Sequence, residues 1–146
     1  MQLKKYTDYA LRVLIFTGTK SSYSEELASI KEISETFSIS EHHLRKIVFD
    51  LSKQGLIETT RGRYGGIRLA KEPGNINVGE IVRDLEQDFY LLECFDKGRN
   101  HCILSPACKL KFALHEALEA FFEVLDQYTL KDLIVNENEL LELMGL

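Results

Sequence analysis

A mainly α fold with one small β-hairpin is what this sequence predicts, and two observations carry the prediction. Apolar residues recur at helical spacing in six separate stretches of the 146-residue chain. Two short alternating segments, Leu56–Thr60 and Ile67–Ala70, flank a Gly-rich basic tip at residues 61–66. That pattern marks a hairpin whose loop is longer than the tightest turns.

The first helix is expected over residues 6–20. Tyr6, Tyr9, Ala10, Val13 and Leu14 fall on one side, Thr7 stands where a cap would start it, and Gly18 where it would stop. Residues 21–26 form a polar break. A short helix over 30–37 places Ile30, Ile33 and Phe37 together, and Ser38-Ile39-Ser40 turns the chain. Ser40 then caps a helix running to about residue 54, with Glu41 in the first turn where a negative charge is favoured. Leu44, Ile47, Val48 and Leu51 form its apolar face, and Gly55 supplies the positive φ usual just past a helix end. After the hairpin, Pro73-Gly74 closes the module. Asn77 opens a short helix that turns Val78, Ile81, Val82 and Leu85 inward, and residues 89–105 have no strong period. From Pro106 to Gln127 a wide apolar stripe returns, running from Leu110 through Leu114 and Leu118 to Phe121, Phe122 and Leu125. A Leu-rich acidic helix over 129–143 ends the sequence. Two units are expected: one over 1–75, closed by Pro73-Gly74, and one over 76–146 that holds a cysteine loop and the long apolar helices.

Composition narrows the function classes. Hydrophobic residues make up 45% and charged residues 28%, which excludes a disordered, collagen-like or disulfide-stapled chain. No run reaches the ~18 apolar residues of a membrane span. Asp8 and Arg12 interrupt the apolar N-terminal segment, so no cleavable leader is read. A cytoplasmic location is expected, and with it reduced cysteines. No phosphate-cradling loop, nucleophile elbow or metalloprotease helix is present, and an enzyme is not expected.

The net charge of −5 hides an asymmetry. Residues 1–71 hold 12 Lys/Arg against 8 Asp/Glu, a net +4, whereas residues 72–146 hold 6 against 15, a net −9. The basic half also has the element order of a winged helix-turn-helix: short helix, three-residue turn, second helix, hairpin. Such a second helix packs one face on its neighbour and presents the other to the DNA major groove. Its outward positions are Glu41, His42, His43, Arg45, Lys46, Phe49 and Lys53. Its N-terminal part meets base edges, which selects Ser40, His42, His43, Arg45 and Lys46, with Arg able to bond guanine O6 and N7 together. Arg61, Arg63 and Tyr64 lie at the hairpin tip, and a thin basic tip suits the narrow, electronegative minor groove.

All three cysteines fall within 15 residues, Cys94, Cys102 and Cys108, spaced C-x7-C-x5-C. Soft thiolates gathered this way suit zinc or an iron–sulfur cluster, and the tight Cys pairs of structural zinc sites are absent. Three thiolates leave one iron of a four-iron cluster in need of another ligand. The bland alternative is three ordinary buried cysteines. The long helix has its own implication. Its stripe is wider than one small domain needs to cover, and a second copy would bury the surplus. A C2 dimer would set two reading helices ~34–36 Å apart and demand an inverted-repeat operator.

The opening MQLKKYTDYALRVLIF, the helix SEHHLRKIVFDLSKQGLIET, the tip RGRYGGIRLA and the segment INVGEIVRDLEQDF followed by three Cys resemble the Rrf-two family of winged-helix transcriptional regulators. The resemblance spans essentially the whole chain. The segment ECF…C…SPAC-KL and the late motif LDQYTLKDLI are most similar to the family's nitric-oxide-responsive repressors. It implies a homodimeric repressor on double-stranded DNA, carrying one iron–sulfur cluster per subunit, four-iron rather than two-iron, whose damage by nitric oxide releases the operator. Cys94, Cys102 and Cys108 match the family's cluster thiolates. Asp8 matches an acidic residue proposed as fourth ligand, donated across the dimer. His101 and His115 compete for that place. Some members place a His three residues after the last Cys, where this chain has Lys111. A cluster-free regulator of the same fold, sensing redox state through its thiols, is the alternative, and nitric oxide, oxygen and thiol oxidation all stand as signals.

Overall fold

A computed structural model describes residues 1–146 and has the expected class: seven α-helices and one two-stranded antiparallel sheet. The helices are α1 (Lys5–Tyr23), α2 (Ile30–Phe37), α3 (Glu41–Lys53), α4 (Val78–Glu86), α5 (Lys109–Leu125), α6 (Leu130–Leu133) and α7 (Glu137–Met144). The strands β1 (Ile57–Thr60) and β2 (Gly66–Leu69) pair Ile57 with Leu69 and Thr60 with Gly66 between α3 and α4.

The starts and stops of the elements in the first half of the chain follow local chemistry. Ser29 caps α2 in a reciprocal box with Glu32: the Glu32 N–H donates to the Ser29 hydroxyl at 3.1 Å, and the Ser29 N–H to the Glu32 carboxylate at 2.8 Å. Ser38 closes α2 in the left-handed region at φ 53°, and Ser40 caps α3 by accepting from the His43 N–H at 3.3 Å. Gly55 takes φ +70° after α3, as expected. The hairpin needs its glycines for room. A Cβ on Gly65 would lie 2.2 Å from the Thr60 carbonyl oxygen, and one on Gly66 2.5 Å from that of Ala28.

One apolar core runs through the chain. Phe16, Leu14 and Val13 of α1 are fully buried among Ile33, Leu44, Ile47 and Leu51, and Ile57 and Ile67 of the hairpin close one side. Ile81 and Leu85 of α4 and Leu130 of α6 join the same cluster, so both halves of the sequence contribute to it. Lys20 is buried as well. Its ammonium donates to Glu32 at 2.6 Å and to the Leu27 carbonyl at 3.2 Å. Burial works against the charge on Glu32, but Lys20 and Ser29 outweigh it and hold that carboxyl below its ordinary range.

Five sequence expectations differ from the structure. The first helix is longer than 6–20 at both ends. Thr7 is not its cap but a buried residue inside it, donating to Glu86 Oε1 at 2.6 Å. Gly18 does not stop it. It lies within α1 beneath Ile134, Leu69 and Leu130, and a Cβ there would come 3.3 Å from Ile134, so close packing rather than chain reversal accounts for this glycine. The long helix starts at Lys109, after Cys108, because Pro106 lies in a turn. The final helix is two, α6 and α7, interrupted over 134–136. A capping box at Thr129 with Asp132 starts the first, and its chain of hydrogen bonds ends at Ile134.

Candidate nucleic-acid interface and cysteine loop

Helix α3 splits cleanly by burial. Leu44, Ile47, Val48 and Leu51 are buried, whereas His42, His43, Arg45 and Lys46 are exposed. The periodicity that packs the first set on α1 and α2 places the second outward. The Ser40 hydroxyl is occupied as the helix cap. Arg45 donates to Glu41 at 2.7 Å along the surface, a pair whose members are 65% and 42% exposed and so easily exchanged for a phosphate or a base edge. Lys46 lies 5.8 Å from the centroid of the Tyr6 ring. At the hairpin tip Arg61, Arg63 and Tyr64 are all exposed, Tyr64 to 84%, and the Arg63 guanidinium stacks 5.7 Å from the Tyr64 ring centre.

Two contacts found only in three dimensions tie α1 to its surroundings. The Tyr6 hydroxyl donates a short hydrogen bond to Asp50 of α3, and burial followed by this bond pushes the phenol's pKa up. The Glu86 carboxylate, buried at the end of α4, accepts from the Lys4 N–H at 2.7 Å and from Thr7 at 2.6 Å, and Lys4 Nζ donates to the Glu86 carbonyl at 2.6 Å. Just beyond Glu86, Gln87 takes φ +62° and the cysteine segment begins.

That segment is irregular from residue 87 to 108 apart from one turn of 3-10 helix at Glu93–Phe95. Cys94 is buried in this turn, Cys102 is half-buried, and Cys108 is the half-buried residue just before α5. All three are free thiols. Within one chain no three His, Cys, Asp or Glu side chains converge at metal-holding distance. Asp8 is on the first turn of α1, where Arg12 grips both carboxylate oxygens at 2.9 and 2.8 Å. His115 on α5 faces Glu119 at 3.3 Å, and His101 is exposed. The donor types nevertheless fit an iron–sulfur cluster: three thiols without other bonds, in a loop no ladder of backbone hydrogen bonds fixes, with an exchangeable carboxylate elsewhere in the fold.

Helix α5 contains no buried residue in the single chain. Leu110, Phe112 and Val124 are 58%, 60% and 53% exposed. Its firm attachments are to α4: Arg83 pairs with Asp126 at 2.6 and 2.7 Å and lies 4.4 Å above the Phe122 ring, which also meets Phe89 edge-on at 4.6 Å. No helix is long and apolar enough to cross a membrane.

Residues 3–136 match the family model described as Rrf2, iron-dependent transcriptional regulator. The chain belongs to the Rrf2 family. Relatives of this Rrf2 regulator include the HTH-type transcriptional regulator NsrR of Oceanobacillus iheyensis, 63% identical over 100% of this chain and 98% of that protein. The NsrR of Bacillus subtilis is 51% identical over 99% of this chain and 97% of its own length. Among solved structures, CymR, the global cysteine regulator of B. subtilis, superposes with a TM-score of 0.70 at 31% identity, covering 93% of this chain and 98% of that one. IscR of T. potens gives 0.71 at 26% identity over 93% and 88%. The fold is therefore that of the winged-helix Rrf2 regulators, and the protein is a transcriptional regulator rather than an enzyme.

Substituting the surface arginines tests whether this face meets DNA. Arg45→Ala should cost ~1–3 kcal/mol of operator binding and relax sequence preference at one position, as expected of a base-reading Arg. Arg63→Ala should weaken operator binding too. If the wing residue touches only phosphate, the loss is alike on all sequences and the salt dependence is flatter. Quantitative gel shifts across a salt series separate the two, and unchanged affinity in both variants would mean that DNA meets another surface.

Proposed function

We propose that this Rrf2 regulator is a homodimeric repressor that reads an inverted-repeat operator with α3 and the wing and responds to nitric oxide through an iron–sulfur cluster. The observation that carries the reading is the row of exposed polar and cationic side chains on α3, opposite its buried face, with Arg61, Arg63 and Tyr64 exposed at the wing tip. In this reading Ser40, His42, His43, Arg45 and Lys46 meet the major groove, and the wing tip meets the minor groove. Residues 1–75 form the reading unit and residues 76–146 the sensing and dimerising unit. The unburied stripe of α5 supports its packing against a second copy, since exposed Leu110 and Phe112 would otherwise remain in water.

Cys94, Cys102 and Cys108 would hold the cluster, four-iron rather than two-iron, and the partner's Asp8 would complete it. When bound, the cluster supplies iron that reacts with a small diatomic molecule where thiolate ligation is incomplete. The chain's own residues do the rest. Arg12 orients the Asp8 carboxylate and neutralises it until it is used. A carboxylate is a harder donor than a thiolate and the more readily exchanged, so release of Asp8 would free α1 at the interface. Tyr6 and Asp50 join α1 directly to the reading helix, which gives that release a route to DNA. The thiol-only alternative takes its support from the free, partly exposed Cys102 and Cys108.

Gel shifts with a duplex carrying two half-sites one helical turn apart, together with light scattering, test the dimeric reading. One dimer per duplex is expected, and a monomer indifferent to half-site spacing contradicts it. Asp8→Ala tests the fourth ligand. The variant, purified without oxygen, should keep a cluster on three thiolates with an altered visible spectrum and an altered nitric-oxide response. If Asp8 serves only the favourable charge at a helix start, worth ~0.3–1 kcal/mol, spectrum and response match the parent and only thermal stability falls.

A further inference from the structure

The reading face of α3 carries one side chain that hydrogen bonding to bases and phosphates cannot explain. Phe49 lies on the outward side of the helix, one turn beyond Arg45 and Lys46, and is 58% exposed. The other exposed large apolar side chains of residues 1–75 are Met1 at the chain start and Tyr23 and Tyr64, whose hydroxyls water can satisfy. Phe49 has no such group. The helix does not need it for packing, because Leu44, Ile47, Val48 and Leu51 supply the buried face.

A single exposed apolar residue is ordinary on a protein surface, so the argument rests on its surroundings. Lys53 Nζ sits 4.6 Å from the ring centroid, covering one face and restricting the ring. Arg45 and Lys46 stand one turn before it and are exposed. Cores of protein–protein interfaces are depleted of charge, and a ring covered by Lys53, on a helix face that also exposes Arg45 and Lys46, is poorly suited to one. It suits a groove walled by phosphates. Within the major groove the apolar feature is the C5-methyl of thymine, against which a Phe ring packs.

We propose that Phe49 is a specificity-determining residue that packs on a thymine C5-methyl in each operator half-site, with Lys53 holding the ring toward the groove. The proposal rests on the DNA-reading role of α3 given above. Its test uses the full-length protein, purified without oxygen, and a duplex that this protein selects from a randomised pool. Each thymine is replaced singly by uracil, which lacks only the methyl, and affinity is read by fluorescence anisotropy. At one position per half-site the parent should lose about fourfold, the worth of one buried methyl-sized group. Phe49→Ala should bind the thymine and uracil duplexes alike at that position, while Phe49→Leu keeps part of the difference. Tight parental binding with no uracil effect anywhere overturns the proposal alone, as does an alanine variant with full methyl dependence. A protein that retains no duplex from the pool overturns the reading role of α3 and this proposal with it.

Discussion

Cys94→Ser, Cys102→Ser and Cys108→Ser, each purified without oxygen, are expected to lose most of the visible absorbance of the parent and its tight operator binding. A serine oxygen is a hard, weakly acidic donor where iron–sulfur clusters are anchored by thiolates. All three thiols are free and lie in one irregular segment, so no neighbouring group of the same softness can substitute. The helical circular-dichroism spectrum should survive, because only Cys94 is buried and none of the three belongs to the central core cluster. Iron and sulfide content measured beside absorbance decides the matter. A variant that retains a full cluster removes its cysteine from the ligand set, and a colourless parent with redox-dependent operator binding would favour the thiol-only regulator.

Phe16→Ala is expected to destabilise the fold by ~3–5 kcal/mol, a large share of the ~5–15 kcal/mol that separates folded from unfolded domains. Phe16 is fully buried in α1 and meets Phe37 of α2 edge-on, with ring centres 6.1 Å apart. Truncation empties a site walled by two helices whose backbones are fixed by their own hydrogen bonds, so the cavity collapses poorly. Urea denaturation followed by circular dichroism measures it. A shift below ~1 kcal/mol would show that α1 is not the centre of the core.

Much of the structure of residues 1–75 was legible because its determinants are local. The face of α3 follows from Leu44, Ile47, Val48 and Leu51, its start from Ser40, its end from Gly55, and the wing from alternation around a Gly-rich tip. The boundaries that failed were decided by tertiary contact. Gly18 reads as a stop until Ile134 and Leu130 are seen above it, and Thr7 reads as a cap until Glu86 is found beside it. Partners separated by 82 residues, as Lys4 and Glu86 are, leave no periodic trace. Nor do Tyr6 and Asp50, 44 apart. The clasp of Arg12 on Asp8 was available from its i,i+4 spacing. The cysteine constellation was visible as composition, but the C-x7-C-x5-C spacing matches no helical or strand period, so the sequence carried no geometry for it. The stripe of α5 was legible as apolar, whereas its lack of cover within one chain required the fold.

In the proposed function, one protein reads DNA with α3 and the wing and releases it when nitric oxide reaches the cysteine loop. Anisotropy of a labelled operator duplex with the anaerobically purified protein, titrated with nitric oxide while visible absorbance is followed in the same cuvette, tests it most directly. Tight, salt-dependent binding should be lost in step with the cluster's absorbance, with no such response in the Cys102→Ser variant. Tight binding that persists after the absorbance has gone would contradict it.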